Sequence, residues 1–467
     1  MIFRPYPPAS APDSRLRALL LAVLLAVPLS AVWARPIDAV WAVAGGGINS
    51  DMSFAVAADA AGNAVVTGRF ADVAARLAGA ETAPLGDLDA MVAKFGPDGR
   101  LFWIQRPGGG DRDSARSIAL DAAGNALVAG FFRDTGTFGE ASAKSAGNRD
   151  AFVAKYDPDG NLLWLCPAGG PLNDEGRGVA VDGNGNVFLT GSFEGEAVFA
   201  EGLTVATENG GHAFVAKYSP DGAPLWVRQA GGDRYTWGNA AATDSAGNVL
   251  IGGAFAGSAL FGDTEVKSAG DLDIFIAKYD AEGNLLWART AGGSSRDMAY
   301  AVSTDAADNV LVAGKFRDAA AFGETQLDAV DDTDAFVAKF SPDGNLIWAV
   351  SLGSRDDDAA HGLATDGDGN ALLIGSFYGE MTVGETTLIS LGGRDIFVAA
   401  YAPDGTPISA QSGGGPGDDN GFGIAAASGG EAYITGSMSA NTVFGEWALL
   451  NTGSDDLYIA KLRYATP

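Results

Sequence analysis

Six aspartates recur at one position of a repeating pattern: Asp51, Asp113, Asp174, Asp297, Asp358 and Asp419, with Thr236 where a seventh would stand. Each lies eight residues before a turn position occupied by Asp59, Asp121, Asp182, Asp244, Asp305, Asp366 and, in the last copy, Ala427. Carboxylates brought together in a ring would attract cations, and oxygen ligands of this kind suit Ca2+. Because Ca2+ needs its oxygens at about 2.3 to 2.6 Å, one ion would be held within one or two loops and not by all six at once. The competing use of a loop aspartate is to accept backbone N–H groups.

Three residues further on, the copies stop agreeing: Phe54, Arg116, Arg177, Asn239, Tyr300, His361 and Phe422 occupy one slot. The flanking positions stay Gly, Ala or Ser, so the backbone there is crowded while this one side chain is free to differ, as at a ligand-reading position. The fourth copy departs most, with Arg234-Tyr235-Thr236-Trp237 in its loop and His212 nearby in place of a repeated Asp. Tyr235 and Trp237 are candidates for stacking on a sugar or docking a partner. His212 and His361 are the only histidines and fall in separate copies, and no Ser/His/Asp set, His-rich metal motif or phosphate loop is apparent. Catalysis would have to use carboxylates alone, as glycoside hydrolysis can.

These positions are presented by seven copies of a unit of about 61 residues that starts at 41, 103, 164, 226, 287, 348 and 409, marked by Trp in six copies and Ser409 in the last. In the second copy, Ser117 to Asp121 leads through Ala-Ala-Gly-Asn into Ala126 to Phe131. After some twenty residues come Ala151 to Tyr156, the turn Asp157-Pro-Asp-Gly-Asn161, and Leu162 to Leu165. Short apolar runs separated by Gly, Pro and Asn turns are strand chemistry. Four antiparallel strands per copy predict an all-β, seven-bladed β-propeller, because one unit cannot bury its own apolar faces. The pattern ends after the third strand of the last copy, so the segment Ala39 to Val43 with Trp41 is expected to supply the fourth strand and close the ring. The repeated Trp residues are expected between neighbouring blades. Asp89, Asp150, Asp273, Asp334 and Asp456 stand five residues before Lys94, Lys155, Lys278, Lys339 and Lys461 and are expected to pair with those lysines and fix strand register, whereas Asp395 precedes Ala400, the exception.

Residues 1 to 34 stand apart, with Arg4, Arg15 and Arg17 preceding the apolar stretch Ala18 to Val27 and a small-residue end at Ala34. The run is shorter than the roughly 20 residues of a spanning helix and reads as a secretory signal, leaving 35 to 467 as one domain. Export to the periplasm, cell surface or exterior follows, without membrane insertion once the signal is removed. A net charge of −28 makes nucleic acid an unsuitable partner, and the single Cys166 allows no intrachain disulfide.

The stretch Asp150 to Trp164 (DAFVAKYDPDGNLLW), echoed at 273 to 287 and 334 to 348, resembles the bacterial β-propeller repeat family known as SBBP across residues 38 to 467. The resemblance implies an exported or cell-surface propeller and supplies no catalytic residues. A weaker likeness to quinoprotein propellers would imply eight blades and a quinone site, against seven copies here. The resulting expectation is a monomeric, non-catalytic scaffold that binds a protein or glycan at the channel mouth, with Ca2+ a candidate ion and no other cofactor implied. The alternative is a carbohydrate-active hydrolase or lyase that uses the acidic mouth.

Overall fold

The computed structural model describes residues 37–71, 75–82 and 86–464. The expected signal segment and its expected cleavage near Ala34 lie outside them. The described chain is all strand and turn. Its strands pair into four-stranded antiparallel sheets in sequence order, such as Ser114–Leu120, Ala126–Phe132, Asp150–Tyr156 and Leu162–Ala168. The sheet built on Asp419–Ala427, Glu431–Met438 and Asp456–Arg463 takes its fourth strand from Asp38–Gly46, where Trp41 faces Lys461 and Asp38 faces Arg463.

The first hairpin of each sheet forms because an Asp folds the turn around itself. Asp121 Oδ1 accepts the backbone N–H of Ala123 and Asn125 at 3.0 and 2.9 Å, its Oδ2 accepts Asn125 Nδ2 at 2.8 Å, and Gly124 takes the left-handed φ of 79°. Asp59, Asp182, Asp244, Asp305 and Asp366 repeat the arrangement.

Neighbouring sheets meet through a shared carbonyl. Trp103 Nε1 and Lys94 Nζ both donate to Pro158 O, at 2.9 and 3.2 Å, and Trp287 and Lys278 converge in the same way on Pro342 O. The Gly of each such turn lies against the indole: a Cβ on Gly160 would stand 2.7 Å from Trp103, and one on Gly344 2.9 Å from Trp287. Each lysine also pairs with a carboxylate, but not the one expected. Lys155, Lys278 and Lys339 reach the hairpin aspartates Asp121, Asp244 and Asp305 at 2.9, 2.8 and 2.9 Å, whereas the strand-opening Asp150, Asp273 and Asp334 lie one strand length away. Five residues of extended chain separate the members of the expected pairs, which puts them too far apart to touch. Lys339→Met would strip a buried carboxylate of its cation and should cost about 3 to 5 kcal/mol in chemical denaturation, against near zero for exposed Lys144→Met.

The last sheet repairs its own departures from the pattern. Glu431, standing where other copies carry the turn Asn, binds Lys461 at 2.6 Å and Arg463 at 3.0 Å in place of the missing Asp at 427. Ser409, itself buried, stands where other copies carry a Trp. The buried ring of Tyr464 joins the cluster around Ile396, Val398 and Ala400 on that side, and its hydroxyl donates to Asp366 at 3.1 Å.

The roughly twenty residues between second and third strands also contain structure. They form a further hairpin, such as Thr135–Phe138 with Ala141–Lys144, that hydrogen-bonds to the end of the preceding sheet, Gly136 opposite Gly109. In two sheets it is continuous with the long strands Val187–Ala200 and Leu203–Tyr218, and Val310–Phe322 and Thr325–Phe340.

Candidate functional site

The innermost strands lie side by side, each sheet's first strand against the next and Asp419–Ala427 against Met52–Ala58. They approach so closely that only small residues fit: a Cβ on Gly178 would stand 2.8 Å from Ala240 Cα, and one on Gly423 2.8 Å from Ala55 Cα. Between these small residues every first hairpin carries a β-bulge at the same place. The register skips between Ser53 and Ala55, Gly176 and Gly178, Gly238 and Ala240, Ala299 and Ala301, Ala360 and Gly362, and Gly421 and Gly423, and Arg116 is passed over in the same way. The residue left out of the ladder is in each case the variable one. A bulge bends its strand and re-aims the extra side chain.

All seven of those side chains converge. Phe54, Arg116, Arg177, Asn239, Tyr300, His361 and Phe422, joined by Glu175, line one open cavity of about 300 Å³. Its wall has two halves. An aromatic arc runs Phe54, Phe422, His361, Tyr300, with ring centroids 5.9, 5.5 and 5.1 Å apart. Opposite it, Arg177 forks onto Glu175 at 3.0 and 2.9 Å and reaches Asn239 Oδ1 at 3.1 Å, while Asn239 Nδ2 donates to Ala299 O at 3.0 Å. Desolvation, with Lys315 and Arg394 nearby, pushes His361 down to about 4, so the imidazole is neutral at pH 7 and belongs to the aromatic half.

The six aspartates expected at the mouth are elsewhere. Asp51, Asp113, Asp174, Asp297, Asp358 and Asp419 are buried and do not line the cavity. Each clamps its own loop: Asp113 accepts Gly109 N at 2.7 Å and Arg133 N at 2.9 Å, Asp297 accepts Gly293 N and Arg317 N at 2.7 and 3.0 Å, and Asp51 accepts Gly47 N and Ala71 N, both at 2.7 Å. Asp174 accepts Gly170 N, Asp358 accepts Ser354 N and Tyr378 N, and Asp419 accepts the Thr442 hydroxyl. Among the described residues no group of three or more His, Cys, Asp or Glu is placed to hold a metal ion. The expected acidic, cation-attracting mouth is therefore corrected: Arg116 and Arg177 face Glu175, the one carboxylate among its lining residues.

Burial pushes Asp113, Asp174, Asp358 and Asp419 up to about 7 and Asp297 to about 6 against the pull of their hydrogen bonds, with a neighbouring Asp adding to the rise in each. These folded-state carboxyls keep their protons above the ordinary 3.8, so the folded protein binds more protons than the unfolded chain between about pH 4 and 7, and stability falls as pH rises through that window. In Asp121, Asp244 and Asp305 burial acts upward too, but the Asn and Lys bonds outweigh it and lower the carboxyl, so their contribution is lost only as pH falls below about 4. Thermal melts should therefore show a midpoint several degrees higher at pH 5 than at pH 8.

Tyr235 and Trp237 lie outside the cavity lining. Their rings stack on each other at 5.8 Å, Tyr235 is half exposed, and Trp237 packs on Ala254, Ala256 and Leu272. His212 bonds Gly232 O and Thr207 inside its own sheet. Cys166 donates to Gly222 O, and burial pushes its thiol up to about 11, away from reactivity at neutral pH. Glu175 is the lining residue that the repeat pattern did not single out, although the slot after the ring aspartate varies as well: Met52, Ser114, Glu175, Trp237, Met298, Ala359 and Asn420.

Residues 168–192, which carry Asp174, the Arg177 bulge and the Asp182 turn, match the family described as SBBP, beta-propeller repeat. The chain carries an SBBP β-propeller repeat. Over 349 residues, 68% of the chain, it is 26% identical to the regulatory protein FlaEY of Caulobacter vibrioides, covering 35% of that protein. A stretch of 222 residues, 39% of the chain, is 27% identical to an uncharacterized WD repeat-containing protein, L264, of Acanthamoeba polyphaga mimivirus, covering 16% of it. The chain thus spans about a third or less of these relatives' length. Solved structures similar to it include the Pan2 WD40 domain of Neurospora crassa, at 8% identity and TM-score 0.44 over 92% of this chain and 96% of that one. Puromycin hydrolase is similar at 13% identity and TM-score 0.42 over 87% and 54%.

Proposed function

We propose that the chain is an exported, non-catalytic scaffold: a seven-bladed propeller, closed by Asp38–Gly46, that holds a protein or glycan ligand at the cavity where its blades meet. The closed ring is supported by the run of contacts from first strand to first strand that returns to Met52–Ala58, and by the pairing of Asp38–Gly46 with Asp456–Arg463. The observation that carries the binding reading is the coincidence of three features at one slot: the repeats differ there, a bulge frees the side chain there, and all seven such side chains line one cavity. A purely structural slot would keep its residue type from copy to copy, as the Trp and turn Asp slots largely do.

The hydrolase alternative needs a pair of carboxylates flanking a substrate. The repeated aspartates are committed to backbone N–H groups, and Glu175 is committed to Arg177 and Arg149. Export rests on Arg4, Arg15 and Arg17 ahead of Ala18 to Val27, and is checked by fractionation and sequencing of the mature N-terminus. Binding is tested by probing glycan and peptide arrays with the wild type and a Tyr300→Ala, His361→Ala double variant of equal melting temperature. Loss of the bound set in the variant supports the cavity as the site. An unchanged set places recognition elsewhere on the surface and overturns the reading.

A further inference from the structure

Arg116 is the one cation of the cavity wall with its hydrogen-bonding capacity uncommitted. Arg177 is spent on Glu175 and Asn239. Arg116, by contrast, makes no hydrogen bond or ion pair among the described residues: it lies on ring faces, with Cζ 4.5 Å from the Phe54 centroid and 5.5 Å from that of Phe131, and feels Glu175 only through longer-range attraction. The same two rings carry further guanidinium groups, Arg69 over Phe54 at 5.6 Å and Arg149 over Phe131 at 5.2 Å. Cations and aromatic faces thus alternate as Arg69, Phe54, Arg116, Phe131, Arg149. Cation–π contact keeps three like charges close together on a protein whose net charge is −28. A half-buried guanidinium presents five N–H donors in a planar fork that matches the two oxygens of a carboxylate. Desolvation lowers Arg116 to about 10 against the pull of Glu175, with Arg69, Arg177 and Arg149 adding to the fall, and a bound carboxylate would act in the same direction as Glu175.

The wall that continues from Phe54 is apolar. Phe54, Phe422, neutral His361 and Tyr300 form a continuous aromatic arc that starts at the ring beneath that fork and runs round the cavity. A volume of about 300 Å³ lies at the lower end of ligand pockets and admits one ring or one residue.

Resting on the reading of the cavity as the ligand site, we propose that its ligand is an apolar or aromatic carboxylate, with the carboxylate on the Arg116 guanidinium and the apolar body against Phe54, Phe422 and His361. That chemistry is presented both by a free small acid and by the C-terminal residue of a peptide chain that ends in an apolar side chain.

The test is calorimetric titration of the purified protein with N-acetyl-phenylalanine, with its carboxamide, and with a pentaglycyl-phenylalanine peptide carrying a free or an amidated C-terminus. The acids should bind at least about tenfold more tightly than their amides. Arg116→Gln should erase that difference, Arg116→Lys should keep part of it, and Arg112→Gln, at an exposed position outside the cavity, should leave it intact, with melting temperatures establishing that each variant is folded. A peptide that outbinds the single amino acid points to a chain terminus, and one that binds no better points to a free acid. Either result supports the shared chemistry. Equal binding of acid and amide, or an acid preference that survives Arg116→Gln, overturns the carboxylate assignment while leaving the cavity a ligand site. If wild type binds none of the four probes the inference fails, and the array comparison then decides separately whether the cavity binds anything.

Discussion

Removal of Asp38–Gly46 should abolish cooperative folding of the entire repeat array and not merely loosen one sheet. That strand supplies the outer edge of the sheet ending in Asp456–Arg463 and carries the short hairpin Ala75–Leu77 on its far side, with Gly45 opposite Leu77. Trp41 is 6% exposed, donates Nε1 to Pro97 O at 2.9 Å and covers Gly99. Burying an indole removes roughly 150 to 250 Å² from water, an upper bound of about 4 to 6 kcal/mol at 25 cal/mol/Å². A folded domain is stable by only about 5 to 15 kcal/mol in total. The indole alone is therefore a large share of the total, and the deletion also strips the ladder from one side of Asp456–Arg463 and leaves a bare edge. The expected result is aggregation or a melting midpoint lowered by more than about 20 °C. Because Asp38 lies opposite Arg463, a short turn can join Tyr464 to Ile37, and a permuted chain with residues 37–46 moved behind 464 should regain the parent melting temperature. Failure of the permuted chain to recover, or a deletion variant that melts like the parent, would remove the strand from the closing role proposed for it.

The periodic parts of the molecule were legible because each repeated residue performs one local task. Asp-x-x-Gly-Asn folds its own hairpin, and Trp41 to Trp348 each reach the next turn, so spacing alone sets the sheets and their order. The variable slot was legible for the same reason inverted, since residue type drifts only where neighbours do not constrain it. Three things were not legible. The bulge that turns Arg177 or His361 into the cavity is a register shift, and a register shift leaves no mark on a composition pattern when its flanks are small for another reason. The partner of each lysine was misassigned because the hairpin Asp comes close only through strand pairing, as between Leu127 and Lys155. The fate of the six aspartates depends on which way a loop folds: Asp297 is tied to Arg317 N, twenty residues away, through a contact that no local spacing encodes.

Asp297→Ala should destabilise the protein by about 2 to 5 kcal/mol, with the same loss in Ca2+ and in chelator. The carboxylate is fully buried and accepts the part-buried N–H groups of Gly293 and Arg317, both of which lose that acceptor once the side chain is gone. Each orphaned buried donor costs about 1 to 3 kcal/mol. Asp297→Asn separates hydrogen bonding from charge. The amide oxygen keeps one of the two acceptors, and the neutral group escapes the burial that pushes the Asp297 carboxyl up to about 6 with Asp273 nearby, so the loss should be less than half that of the alanine variant. Denaturant titrations at pH 7.5 in millimolar Ca2+ and in chelator measure all three proteins side by side. A loop clamp gives the order wild type, Asn, Ala, with no effect of the ion. A wild-type midpoint raised by Ca2+, with the increment absent from both variants, would instead make the loop a cation site and return the six aspartates to function.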